Sequence, residues 1–267
     1  MIDLIAAAYM YYSVSITDPD VQGKEQSVFP AEITRQVHDQ ARIDGQMTLI
    51  SRDYMAAIGK FGYKKHDYDD EDLNIRSAIE HFQSDCNIDV NGMWSEACLA
   101  AAKKRIADGR MIFSDIVTSP ASDGQWIVIN KSKRILTMYR NKAVAYKYPV
   151  AVGNPSPLTP SGKYTIVCKA VNPEWGGGGY TKPVKGGIPE NPLGYRWMGL
   201  SLDGGDRYGI HGNNVPYSIG TYASHGCVRM FNPDVEALFD IIAINTPVWI
   251  GDEGELEKWG VKQAELK

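Results

Sequence analysis

The sequence predicts an α+β chain in two main parts: a small three-helix module over residues 47–110, then a mainly β domain over residues 125–251. Apolar residues recur at helical spacing in the first part, and the period becomes two after residue 125. Charge divides at the same place. Residues 1–123 hold 12 Lys/Arg against 20 Asp/Glu, whereas residues 124–251 hold 13 against 7, so a net charge of −4 conceals an acidic half and a basic half. The basic half suits an anionic substrate such as a carboxylate-bearing peptide, and the acidic half argues against nucleic-acid binding. With 267 residues, 43% of them hydrophobic, the chain buries a sizeable core.

The elements follow in order. Residues 1–46 are unassigned; residues 2–14 are apolar but carry Asp3 where a leader needs positive charge, and the run is too short to span a bilayer, so no targeting or membrane segment is read. The helices are marked by Tyr54-Met55 with Ile58 and Phe61, by Ile75, Ala78-Ile79 and Phe82, and by residues 99–106. The acidic run 67–72 is a solvated approach to the second helix, whose N-terminus its charge favours. Residues 111–124, rich in Ser, Pro, Asp and Gly, are a linker. Strands are expected at 126–129, 134–139, 143–152, 163–171, 197–202 and 247–250, with a short one ending at His211. One helix starts after Asn232-Pro233, with Asn232 as N-cap, and residues 252–267 form a tail.

Four cysteines are too few for a disulfide scaffold, and no ligand set is spaced for structural zinc, since His38, His66 and His81 lie in the other half from His211 and His225. Cys168, in an alternating run, reads as a buried structural thiol; Cys86 and Cys98 could pair if the protein is exported. Cys227 is different, because it lies in Ser224-His225-Gly226-Cys227-Val228-Arg229-Met230, beside glycine and imidazole. A thiol becomes a useful nucleophile near neutral pH when a basic neighbour favours the thiolate. His211 is the better base, held at a strand end, whereas His225 is too near in sequence. The amides of Gly226 and Cys227 are candidates for binding an oxyanion. Arg229 either takes a substrate carboxylate or braces the turn.

These residues carry a resemblance. Residues 125–251 resemble the catalytic domain of the L,D-transpeptidases, the YkuD-type family, through Tyr148-Pro149-Val150-Ala151-Val152-Gly153, Thr159-Pro160-Ser161-Gly162-Lys163-Tyr164, Asn172-Pro173, Trp175, Asn191-Pro192-Leu193-Gly194, Ile210-His211-Gly212 and residues 224–230. The spacing from His211 to Ser224 resembles the spore-type branch, and Arg229 stands where some branches have Asn. The resemblance implies a sandwich-like β fold with no metal or organic cofactor. It implies that Cys227 attacks the carbonyl on the L-centre side of an L–D peptide bond in a tetrapeptide stem, releasing D-alanine and leaving a thioester. An acceptor amine on a neighbouring stem then closes a 3→3 cross-link, or water yields a tripeptide.

His211 is implied as base and then acid, oriented by a backbone carbonyl, with Ser224 positioning the cluster. Arg229, His225, Tyr180, Trp175 and Gly212 are the implied substrate contacts, and residues 175–187 a lid. Peptidoglycan biosynthesis, an extracytoplasmic or spore-associated location and carbapenem acylation of Cys227 follow from the same resemblance. The helical part is similar to a peptidoglycan-binding module through Gly62-Tyr63, Ala78-Ile79, Phe82-Gln83, Val90-Asn91-Gly92, Trp94 and Ser95, which implies glycan contact. The readings left beside transpeptidation are an L,D-carboxypeptidase and a non-catalytic wall-binding protein.

Overall fold

The computed structural model describes residues 63, 66, 68–109, 113–153, 159–179 and 181–266. Residues 1–46, the first predicted helix and Tyr180 lie outside the described residues. Helix α1 (Glu71–Asp85) starts where Asp70 accepts from the Leu73 amide at 3.2 Å, with Glu71 and Asp72 in the first turn. Helix α2 (Glu96–Asp108) is capped by Ser95 and stopped by Gly109 in the left-handed conformation. Between them the Gln83 side-chain amide saturates the turn: it donates to Asn91 Oδ1 and the Met93 carbonyl, both 2.8 Å, and accepts from the amides of Asn91 and Gly92, both 3.0 Å. Phe82 and Trp94 pack ring to ring at 5.3 Å and are buried, so neither ring is open to a glycan. Ile75, read as part of the apolar stripe, is 46% exposed.

Strands β1 (Asp115–Val117), β2 (Gln125–Asn130), β3 (Ile135–Arg140), β4 (Ala143–Pro149), β5 (Gly162–Val171), β6 (Arg196–Leu200), β7 (Gly209–His211), β8 (Val228–Arg229), β9 (Pro247–Gly251) and β10 (Val261–Gln263) make up the rest, with α3 (Asn232–Ile241) and α4 (Glu253–Lys258). Eight strands form one sheet in the order β4-β3-β2-β9-β5-β6-β7-β8. Every one of them gives residues to a single core, from Leu136 and Tyr148 through Ile127, Ile250 and Ile166 to Met198, Ile210 and Val228, with Val235 and Leu238 of α3 filling it. One core shared by both ends of a sheet requires the sheet to curl. The other face of β2, Trp126 and Val128, packs with Tyr139, Trp249 and Leu256 under a second small sheet. Burial on both faces explains the unbroken apolar run of β2.

That second sheet corrects the expected linker and tail. Residues 115–117 are β1, paired antiparallel with β10 from the tail, with Asp115 opposite Gln263. The reason is a buried polar network. Lys147 Nζ lies 2.8 Å from Asp115 Oδ1 and also donates to Asn87 Oδ1 and Thr137 Oγ1, while Tyr139 Oη donates to Asp115 at 2.6 Å and Gln263 Nε2 donates to Thr137 Oγ1 at 2.8 Å. Burial alone would raise the Asp115 carboxyl, but Lys147 and these hydrogen bonds outweigh it and hold it below the usual carboxylate range. The network fastens the helical module, through Asn87, to the sheet and the tail.

A second correction concerns α3. Asn232 does not cap it; the N-cap is Phe231, and the Asn232 amide instead accepts from Asn213 N at 3.0 Å and donates to Asn213 O at 2.9 Å. Two tertiary hydrogen bonds outcompete one local cap. All four cysteines are free; Cys86 and Cys98 are fully buried, and Cys168 is half-buried with Sγ 3.5 Å from the Gly205 carbonyl.

Candidate active site

Strand register positions the site. β6 runs antiparallel to β7, with Trp197 opposite His211 and Met198 opposite Ile210; β7 runs parallel to β8, with Ile210 opposite Val228 and His211 opposite Arg229. Met198, Ile210 and Val228 form the row that enters the core. Side chains alternate between faces along a strand, so Trp197, His211 and Arg229 form the next row on the opposite face, and Cys227, one residue before Val228, belongs to that face too.

The His211 ring is buried, 4% exposed, and stacks on Trp197 at 5.6 Å with 24° between planes. Gly209 allows this, because a Cβ there would sit 2.7 Å from the Trp197 ring. His211 Nδ1 lies 2.6 Å from the Gly212 carbonyl. A carbonyl only accepts, so this nitrogen carries the proton and Nε2 keeps the lone pair. Burial, reinforced by the Arg229 charge and partly offset by carbonyls, pushes the imidazole down to about 3. At neutral pH His211 is an uncharged base.

Cys227 is half-buried and its Sγ donates to the Arg207 carbonyl at 3.3 Å. Burial raises the thiol, against opposing pulls from the Gly209 amide and Arg229. Both shifts favour the neutral forms, thiol and imidazole, over an ion pair. The turn before Cys227 is built by Ser224, whose Oγ donates to the Cys227 carbonyl at 2.5 Å and accepts from the Gly226 amide at 3.2 Å. Gly226 has φ +119°, a conformation that L side chains rarely adopt. Its amide is thus engaged with Ser224, while among the described residues the Cys227 amide donates to none.

The remaining sequence candidates fall in different places. Arg229 is half-buried and its guanidinium makes no hydrogen bond or ion pair among the described residues. His225 is exposed. Gly212 offers its carbonyl to His211 and packs against the Asn232 amide, where a Cβ would collide. Trp175 and Val184 exchange backbone hydrogen bonds of 2.9 and 2.8 Å, closing a loop whose base is held by Asn191 Nδ2 on the carbonyls of Pro173 and Lys185. Tyr180, in that loop, lies outside the described residues. Trp197 and the Arg207 carbonyl were not legible as site groups; the tryptophan's place beside a histidine appears only once the strands are paired.

Comparison with known proteins places the chain in a family. The family model described as YkuD, the L,D-transpeptidase catalytic domain, matches residues 124–250. YqjB of Bacillus subtilis (strain 168), a protein named for the L,D-transpeptidases, is 38% identical over 137 residues, 51% of this chain and 76% of that protein. YkuD of Bacillus licheniformis, named likewise, is 34% identical over 146 residues, 55% of this chain and 77% of that one. Among solved structures, an L,D-transpeptidase from Xylanimonas cellulosilytica overlays with a TM-score of 0.46 at 20% identity, covering 65% of this chain and 78% of that one. On the extent and identity of the two Bacillus matches, this chain belongs to the L,D-transpeptidase family.

Proposed function

We propose that this chain is a cysteine-dependent L,D-transpeptidase that forms 3→3 cross-links between peptidoglycan stem peptides. The observation that carries the reading is the common face of His211, on β7, and Cys227, immediately before the paired β8, with the His211 proton tied to Gly212 so that Nε2 remains a base. Cys227 Sγ attacks the carbonyl on the L-centre side of the L–D bond as its proton passes to His211 Nε2. The Cys227 amide stabilises the oxyanion, since Ser224 occupies that of Gly226. His211 gives the proton to the departing D-alanine nitrogen, leaving a thioester on Sγ. The acceptor's side-chain amine then attacks the thioester, loses a proton to His211 and regenerates the thiol.

Arg229, half-buried and without a protein partner among the described residues, takes a substrate carboxylate, and the loop closed by Trp175 and Val184 covers the cleft. The substrate sets an extracytoplasmic or spore-associated location, and carbapenems acylate the same thiol. The helical module braces the catalytic domain, with glycan contact assigned to surfaces other than Phe82 and Trp94. No helix among the described residues is long and apolar enough to cross a membrane.

The test is incubation with disaccharide-tetrapeptide muropeptides, followed by mass, beside Cys227→Ala. A dimer lighter by one D-alanine, absent in the variant, is the expected product. Tripeptide alone would make the protein a carboxypeptidase, and unchanged substrate with retained binding would make it a wall-binding protein.

A further inference from the structure

Outside the catalytic row, the fold gathers His66, His81 and Asp234, three residues from separate parts of the chain. All are buried, and one ligand atom from each lies within 4.8 Å of the others. Asp234, in the first turn of α3, holds Oδ2 2.9 Å from His81 Nε2 and Oδ1 3.3 Å from His66 Nε2. Phe231, part of an apolar group with Leu73, Ala151 and Ile219, stacks on His81 at 5.7 Å and lies 5.3 Å from His66, while Tyr68 lies 5.7 Å from the His66 ring and the buried Glu80 carboxyl is near Asp234.

Two features let a metal cation stand where protons otherwise would. His81 Nδ1 is 2.7 Å from the Ser77 carbonyl, which only accepts, so that nitrogen carries a hydrogen. In a neutral ring Nε2 then turns a lone pair toward a carboxylate oxygen. His66 is 7% exposed, and among the described residues neither of its ring nitrogens makes a hydrogen bond, although Nε2 faces Asp234 at 3.3 Å. A cation among the three resolves both at once.

We propose that His66 Nε2, His81 Nε2 and one oxygen of Asp234 bind a zinc ion that clasps the helical module to α3. Two imidazoles and a carboxylate are a donor set zinc favours. Donors about 2.0–2.2 Å from a tetrahedral zinc lie roughly 3.3 Å apart; the donor atoms here lie within 4.8 Å of one another, with His81 Nε2 2.9 Å from one Asp234 oxygen and His66 Nε2 3.3 Å from the other, so a small inward shift of the side chains closes them on an ion. The Ser77 carbonyl on the far nitrogen of His81 is the outer-sphere contact that orients metal-bound imidazoles. The ion would tie the module to α3, the helix that follows β8.

The test uses the tag-free, full-length protein, stripped with a chelator and titrated with Zn2+ alone, with metal content, melting temperature and the visible spectrum of the Co2+ form as readouts. The expected result is about one equivalent bound per chain, a higher melting temperature with metal and a tetrahedral Co2+ spectrum. His66→Ala, at the edge of the cluster, should lose all three while its circular dichroism stays native, and Asp234→Asn should lose them as well. Cys227→Ser should keep the equivalent, which separates the cluster from metal on the thiol. Absence of stoichiometric zinc in the parent protein, or equal binding by His66→Ala, overturns the proposal.

Discussion

Two polar clusters sit on the same sheet and are built in opposite ways. Around Lys147 and Asp115 each side chain is matched: ammonium to carboxylate, Asn87 and Thr137, carboxylate to Tyr139, and Gln263 to Thr137. Around Cys227 the matching is partial. Among the described residues His211 Nε2 makes no hydrogen bond, the Cys227 amide is unused and Arg229 faces no acceptor. Saturated hydrogen bonding in a dry interior holds parts together, whereas reactive groups need an open valence toward a substrate.

Breaking the partial cluster should abolish chemistry without unfolding the protein. Cys227→Ala should abolish acylation and His211→Gln should slow it by roughly 10⁴-fold or more, with little change in melting temperature, read by mass of the acyl-enzyme. A melt that collapses in step with activity would erase the distinction. Breaking the saturated cluster should do the reverse. Asp115→Ala leaves Lys147 buried and unpaired and should cost about 3–5 kcal/mol in urea denaturation, while Asp115→Leu with Lys147→Met should recover much of that loss. Ser224 belongs to both kinds, since it satisfies a turn but does so for the nucleophile. Ser224→Ala should cost about 1–2 kcal/mol of stability and slow acylation about tenfold.

Acid separates the clusters by smaller effects. His211 is depressed from 6.5 to about 3, so between those values the unfolded chain binds a proton that the folded chain refuses. Stability therefore falls as pH drops from 6.5, and His211→Asn should remove that part of the slope. Asp115 is depressed below 3.8, so its contribution persists until pH falls below that value and is then lost through its folded pKa. In the pH–rate profile of acylation, Arg229→Gln should raise the His211 pKa and move the acid limb toward neutrality; an unmoved limb would show that the guanidinium does not act on His211.

Much of the β domain was legible because long strands advertise themselves. β2, β3 and β5 repeat with β-branched and aromatic residues, and the Cys227 turn declares itself by composition. What escaped was short or tertiary. β1 and β10 have three residues each and β8 has two, too few for any period to register. Asn232 had the local credentials of a cap but found a better partner in Asn213. Helix α1 buries polar residues as well as apolar ones: His81 and Gln83 are held by Asp234 and by the turn at 91–93, and Glu80 by Arg76 one turn away, pairings that apolar periodicity does not reveal. The stacking of Trp197 on His211 depends on the register of three strands, which sequence alone does not supply.

The pairing of β1 with β10 has a practical consequence for anyone cloning this protein. The matched family region begins at residue 124 and ends at 250, so a gene trimmed to those limits discards Asp115, Gln263 and Leu256 and strands the Lys147 ammonium in an apolar interior. Such a fragment should express as aggregate. The recombinant unit is set by the residues that cover the sheet, from at least the start of α1 to the end of β10, and not by the boundaries of the catalytic family.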